Sequence, residues 1–470
     1  MTRFLATLGA ALVCTAASPA ATAAGAPAVQ VPGFKYVRTV GQISEYTLES
    51  NGLTVLLMPE HSAPVVTFMV TYRVGSRNEV TGTTGATHLL EHLMFKGSPT
   101  YNDAKGNSVK QYLETVGGLY NATTWLDRTN YYAEVPKDAL EGYVAIEADR
   151  MRNLWLHEAD REREMTVVRN EFERGENDPQ EALDKEIWAT AIMAHPYHHS
   201  TIGWRSDIEH VPIEKLRAFY DTFYWPDNAT VSIIGDFEPA PALELVRRYY
   251  GTFSRSPKPI PQVYTVEPEQ TGPRRVTVRR AGEIGMVGIA YKTPSGRDAD
   301  YAALDVLGTI LSSGKTSRFY RALTDRDLTL NVSAGPGFYH DPSLFQIYAY
   351  VAPGVDQAEV ERTLLKEIER VKKDGVTDEE LATAEAKYDA STAYARDGSF
   401  AIASVLNETI ATGDWTLYYT LDDATHKVTT ADVQRMANKY LLADQSTTGW
   451  FVPAAAEPAA ASDGTPSAAK

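Results

Sequence analysis

The stretch GATHLLEHLMFKGS, Gly85 to Ser98, decides how this chain is read. As a helix it sets His88 and His92 four residues apart on one face, with Glu91 three residues after His88 on nearly the same stripe. Leu89, Leu90, Leu93, Met94 and Phe95 surround the turn with apolar side chains, and burying three ionisable groups without partners is costly. Two neutral imidazoles so placed can grip one zinc ion, and a neighbouring carboxylate can take a proton from water beside it. The plain alternative is a pair of surface histidines beside an apolar stripe.

His-x-x-Glu-His is the inverted form of the commoner zinc-protease pattern and supplies two protein ligands. A catalytic zinc takes three and leaves a position open, so a third is expected elsewhere. The acidic, helix-forming stretch EADREREMTVVRNEFERGENDP, Glu158 to Pro179, offers it. Most of its charges read as a solvated face. Glu164 and Glu171, seven apart around Val167 and Val168, lie on the apolar stripe, whereas Glu173 and Glu176 fall elsewhere. One inward carboxylate could bind the metal and the other could orient a ligand. The run HPYHHS holds His195, His198 and His199. It could be a second metal site, but a proline-containing loop of this kind reads first as structural.

Working outward, 470 residues exceed one compact core. The excess of 61 acidic over 45 basic residues, a net charge of -16, argues against nucleic acid or an anionic membrane surface as partner. Arg3, the short apolar run from Phe4 to Ala17 and the small residues Ala21-Thr22-Ala23 read as a signal peptide, residues 1–23, which predicts a periplasmic or secreted protein. The run is too short to span a bilayer. Cys14, the one cysteine, follows Ala11-Leu12-Val13, which lacks the small residue a lipoprotein signal needs, so no lipid anchor is expected. The mature chain would then have neither disulfides nor thiolate ligands.

Two similar halves, 34–253 and 274–452, flank a linker, 254–273, that carries five prolines, and residues 453–470 read as a disordered tail. LTVLLMPE and VVTFMVTYRVGS read as strands ahead of the helix near Gly85, and RRVTVRRA, GMVGIAYKTPS and DYAALDVLGTILSSG repeat that order. An internal duplication explains this best. Matching Gly97 to Gly314 is expected to place apolar or small residues where the first half has its histidines, leaving the second half metal-free.

HLLEHLMFKGS, GGLYNATTWLDRTNYYAEVP, VVRNEFERGENDP and HPYHHSTIGW together resemble the pitrilysin-type zinc metallopeptidases, in order from about Gly52 to Trp450. The resemblance implies an α+β fold of two related domains, each a mixed, mainly antiparallel sheet flanked by helices, in a clamshell. It implies one zinc per chain on His88, His92 and Glu171, Glu91 as general base and Glu164 in support. The spacing from His92 to Glu171 is slightly longer than usual for the family, so Glu164 stays open as the third ligand by spacing alone. It further implies peptide substrates bound along an edge strand near Asn121 and Ala122. The strand-like run is read as Thr129 to Val135, with an interior position in the sheet as the alternative.

One departure matters. Self-sufficient members carry an arginine and a tyrosine seven residues apart in the second half, where SSGKTSRFYRALTDRDLTLNVSAG places Leu323 and Leu330. Arg318, Arg321 and Arg326 lie nearby but off the matching offset. Arg321 or Tyr320 could serve by a shifted alignment, the enzyme could be weak, or a related metal-free chain could supply the pair. The expected function is therefore a zinc endopeptidase acting on peptides or unfolded segments as the zinc subunit of a two-chain enzyme. A non-catalytic assembly subunit that keeps the fold is the alternative.

Overall fold

The computed structural model describes residues 29–454. The expected signal peptide and nearly all of the expected tail lie outside them. Strands β1 (Phe34–Val40), β2 (Ile43–Leu48), β3 (Thr54–Pro59), β4 (Val65–Tyr72), β5 (Leu119–Thr124), β6 (Thr129–Pro136) and β7 (Ala229–Gly235) form one sheet in the order β1-β2-β3-β7-β4-β6-β5. Strands β8 (Arg274–Ala281), β9 (Met286–Thr293), β10 (Thr329–Pro336), β11 (Ser343–Val351) and β12 (Ser446–Ala454) form a second, in the order β10-β11-β9-β12-β8. The last five strands of the first sheet and the whole second sheet share one topology. Each has a single parallel pair, β3 with β7 and β8 with β12, among antiparallel neighbours. This is the α+β, two-sheet arrangement the sequence predicts, and the repeated topology bears out the duplication.

Helices α1 (Ala86–Leu93), α2 (Val109–Val116), α3 (Leu140–Asn153) and α4 (Glu158–Asn177) follow the first strands. Leu89, Leu90 and Leu93 of α1 and Tyr143 of α3 bury against Val55, Phe68 and Val70. In the second half Leu304, Leu307 and Leu311, on the helix Tyr301–Ser312, pack on Val287 and Ile289.

Each sheet also has an apolar second face, and the halves cover it for one another. Helix α5 (Pro179–Ala191) precedes the linker, yet its Leu183 and Ile187 pack on Val278, Met286 and Leu344 of the second sheet. Glycines make room for it: a Cβ on Gly288 would lie 2.4 Å from Ile187 Cδ1, and one on Gly449 2.7 Å from Ile187 Cγ1. Reciprocally, Ile402, Leu406 and Ile410 of the helix Ser399–Thr412 pack on Leu56, Met69 and Ile234 of the first sheet. Two buried hydrogen bonds fix that helix, Thr67 Oγ1 to Ser399 Oγ at 2.8 Å and Thr71 Oγ1 to Asn407 Oδ1 at 2.8 Å.

Several expectations change. The stretch from Gly117 to Pro136 is a hairpin of two strands. The run Thr129 to Val135 is interior β6, and the edge strand is β5, which carries Asn121 and Ala122. The sequence does not mark β1 and β2, because β1 exposes three of its seven residues and the half-buried Ser44, Glu45 and Thr47 of β2 break the alternation of apolar residues. β12 continues to Ala454, where it pairs with Ala281, so the ordered chain outruns residue 452. Gly308 and Thr309 do fall opposite Glu91 and His92, but opposite His88 stands a carboxylate, Asp305, which burial pushes up to about 6. Segment 254–273 carries neither helix nor strand. No helix among the described residues is long and apolar enough to cross a membrane.

Candidate metal centre

The start of α1 is set by backbone that only glycine adopts readily. Gly85 caps the helix at φ +83°, and a Cβ there would lie 2.3 Å from Ile202 O. The fully buried carboxylate of Glu79 accepts from the amides of Gly85 at 2.8 Å and Thr87 at 2.7 Å, satisfying donors the first turn leaves unpaired. Burial pushes Glu79 up to about 8, against those same hydrogen bonds. His88 therefore leaves a helix start held at two points.

Helix α4 lies against α1 and brings Glu171 to the histidines. One nitrogen from each of His88 and His92 and one oxygen of Glu171 lie within 4.8 Å of one another. Glu171 Oε2 stands 3.8 Å from His88 Nε2 and 3.6 Å from His92 Nε2. Ligand atoms around a tetrahedral zinc, each at roughly 2.1 Å, are about 3.4 Å apart, so this cluster needs little adjustment to hold an ion. Glu171 Oε2, which faces Nε2 of both histidines, is shielded from solvent without a hydrogen-bond partner, which suits a cation between the groups. Burial, with the His92 ring beside it, lowers His88 to about 3 and keeps it neutral, the form that binds a metal.

Glu164 sits one layer back. Its Oε2 stands 3.1 Å from His92 Nδ1, and the Lys96 ammonium pairs with its Oε1. The site therefore brings together His88, His92 and Glu171 as a possible ligand set, with Glu164 behind His92. Glu173 pairs with Arg205, and Glu176 with Lys185 and Arg280, away from the cluster as expected. Glu91 is buried, and burial pushes its carboxyl up, opposed by a hydrogen bond from Thr124 Oγ1 to Oε2 at 2.5 Å.

Two family models match the chain. Residues 54–204 match the one described as insulinase, peptidase family M16, and residues 210–388 the one described as the M16 inactive domain. The zinc protease PqqE of Helicobacter pylori is 30% identical over 412 residues, 86% of this chain and 91% of that protein. This chain belongs to the M16 peptidase family.

Among solved M16 structures, a protease from Helicobacter pylori superposes with a TM-score of 0.83 at 28% identity, covering 90% of this chain and all of that one. Pitrilysin shares the fold, with a TM-score of 0.73 at 17% identity, and this chain covers 46% of it. This M16 chain thus spans the whole of one relative and about half of another.

At the departure in this M16 chain, Leu323 is sealed in the second core and Leu330 is 53% exposed. Arg318 is engaged by Glu380, and Arg321 lines a cavity of about 250 Å³ formed wholly by second-half residues, among them Thr309, Thr316 and Lys387. His195 is buried, with Nε2 3.1 Å from Asp341 Oδ2. His198 and His199 bond backbone carbonyls, so these rings converge on no common point among the described residues.

Three residues near the centre escaped the sequence reading. Lys96 lies inside the opening stretch, but its pairing with α4 depends on how the two helices cross. Thr124 lies on a strand that was not recognised. Glu79 precedes the helix, in a segment with no periodicity to mark it.

Proposed function

We propose that this protein is an exported zinc-dependent endopeptidase, acting on peptides or unfolded segments as the zinc-carrying subunit of a two-chain enzyme. The convergence of His88, His92 and Glu171, with the buried, unpaired Oε2 of Glu171 facing Nε2 of both histidines, carries the reading. These three residues would hold zinc, and Glu164 would orient His92. Zinc, when bound, supplies Lewis-acid polarisation and lowers the pKa of water towards about 7. Glu91 accepts the proton of the attacking water and returns it to the leaving amine. Its buried, raised carboxyl suits a group that must both take and give that proton.

Strand β5 supports the substrate reading. It pairs with β6 on one side only, and the Ala122 amide is bonded by the side chain of its own neighbour, Asn121 Oδ1, at 2.9 Å. An extended peptide added to this edge would displace that side chain and take the amide.

Two observations support a partner chain. The positions where an Arg/Tyr pair is expected hold Leu323 and Leu330, and the chain matches about half of pitrilysin. A complete ligand set argues against a purely structural subunit.

Hydrolysis of a quenched fluorescent peptide by the zinc-loaded chain, alone and with a related metal-free chain, tests this. Turnover is expected to rise at least tenfold with the partner, in line with gaining a charge-stabilising donor, and to vanish in Glu91→Gln with zinc retained. Equal turnover by the single chain overturns the two-chain part, and an active Glu91→Gln overturns the role of Glu91.

A further inference from the structure

The catalytic glutamate of such a site must present one carboxylate oxygen to water in a fixed direction, yet the terminal torsion of a glutamate is broad and roughly two-fold. Here the two oxygens of Glu91 differ. Oε2 accepts from Thr124 Oγ1 at 2.5 Å, within a buried pair of side chains. Oε1 has no hydrogen-bond partner among the described residues and is not among the unpaired atoms sealed from solvent. One oxygen is tied and the other is open.

The strand that carries Thr124 is itself held. On β5, Ala122 and Thr124 face inward, while Asn121 and Thr123 are exposed on the opposite face. From that face Arg128 Nη1 donates to Thr123 O at 3.1 Å, and Thr123 Oγ1 stands 2.5 Å from both Arg128 Nη1 and Asn130 Oδ1. Arg128 Nη2 reaches Glu408 Oε1 at 2.6 Å, on the helix that the second half lends to the first sheet. Thr124 sits at the end of β5 opposite Thr129 of β6, so its hydroxyl has little freedom to leave Glu91.

We propose that Thr124 is a positioning residue for Glu91, tying Oε2 so that Oε1 alone meets the attacking water. The proposal rests on the reading of Glu91 as the base. It also couples the two uses of β5: the strand whose edge would take the substrate aims the base.

The test compares Thr124→Val, which keeps the shape and removes the donor, with Thr124→Ser, which keeps the donor, and with Glu91→Gln. kcat, KM, bound zinc and thermal midpoint are measured in the preparation, chain alone or with partner, that turns over. Thr124→Val is expected to lower kcat about 10- to 100-fold with KM and zinc content within about twofold of native, and Thr124→Ser to restore most of it. Native kcat in Thr124→Val beside an inactive Glu91→Gln overturns the positioning role while leaving the base in place. Loss of zinc or of the thermal midpoint in Thr124→Val, or equal loss in the Ser variant, overturns it in favour of a structural role. An active Glu91→Gln removes the base reading, and the proposal falls with it.

Discussion

Glu164 Oε2 lies 3.1 Å from Nδ1 of His92, on the far side of the ring from the nitrogen that faces Glu171. A carboxylate there fixes which nitrogen carries the proton and holds the ring plane. Glu164→Gln keeps the size and can still bond Nδ1, but it loses the charge and the pairing with Lys96. Zinc affinity, measured by competition with a chromogenic chelator, is expected to fall about 10- to 100-fold while the far-ultraviolet spectrum stays native. Unchanged affinity would show that Glu164 serves packing alone.

Gly85 and Gly203 lie back to back at the start of α1, each at φ +83°, and a Cβ on Gly203 would stand 2.4 Å from the Gly85 nitrogen. Gly85→Ala is expected to destabilise the protein by at least about 1–2 kcal/mol from left-handed backbone alone, with the clash against Ile202 added. Because His88 follows one turn later, zinc affinity should fall with it. Urea unfolding and zinc titration on one preparation check both.

Arg77 joins the halves, pairing with Asp127 at 3.3 Å and with Asp341 at 2.6 Å in a nearly buried position. Burial opposes ionisation of Asp341, but hydrogen bonds from His195 and His340, with the Arg77 charge, hold it far below the usual carboxylate range. Arg77→Ala leaves the buried Asp127 and the half-buried Asp341 without their cation and is expected to cost about 3–5 kcal/mol. Denaturant unfolding measures the loss, and a change below about 1 kcal/mol would mean that the histidines satisfy Asp341 without Arg77.

Glu267, in the linker, accepts from the amides of Met193, Ala194 and His195 and pairs with Lys292 at 2.9 Å. Burial resists its charge, yet the Ala194 amide, Lys292 and the other two amides lower it to about 2. Burial also keeps Lys292 below its ordinary value despite the pair, so the amides supply most of the benefit. A folded value below the unfolded one means that the native state binds fewer protons. The stabilisation is therefore present above about pH 4.5 and is lost as the pH falls towards 2. Glu267→Gln is expected to lower stability by about 1–3 kcal/mol at neutral pH and to flatten its decline over that window. Thermal midpoints from pH 2 to pH 7 check the slope.

The legible part of this protein was local. The i, i+3, i+4 spacing of His88, Glu91 and His92 and the seven-residue spacing of Glu164 and Glu171 follow from helical periodicity, which sequence displays directly. The repeated order of strands and helix makes the duplication readable in the sequence itself. The hairpin was misread because β5, an edge strand, exposes half its residues and carries little apolar signal.

Sequence by itself determined the helices, the residue types of the candidate site and their shared faces, because these depend on residues within a few turns of one another. Only the tertiary structure decided that Glu171 meets both histidines while Glu164 stands behind one of them, since that depends on how α4 crosses α1. It alone showed that each half lends a helix to the other's sheet and that Thr124 ties one oxygen of Glu91. Such pairings join residues far apart in the chain, where burial of apolar faces and satisfaction of buried polar atoms choose the partner, and no local periodicity records that choice.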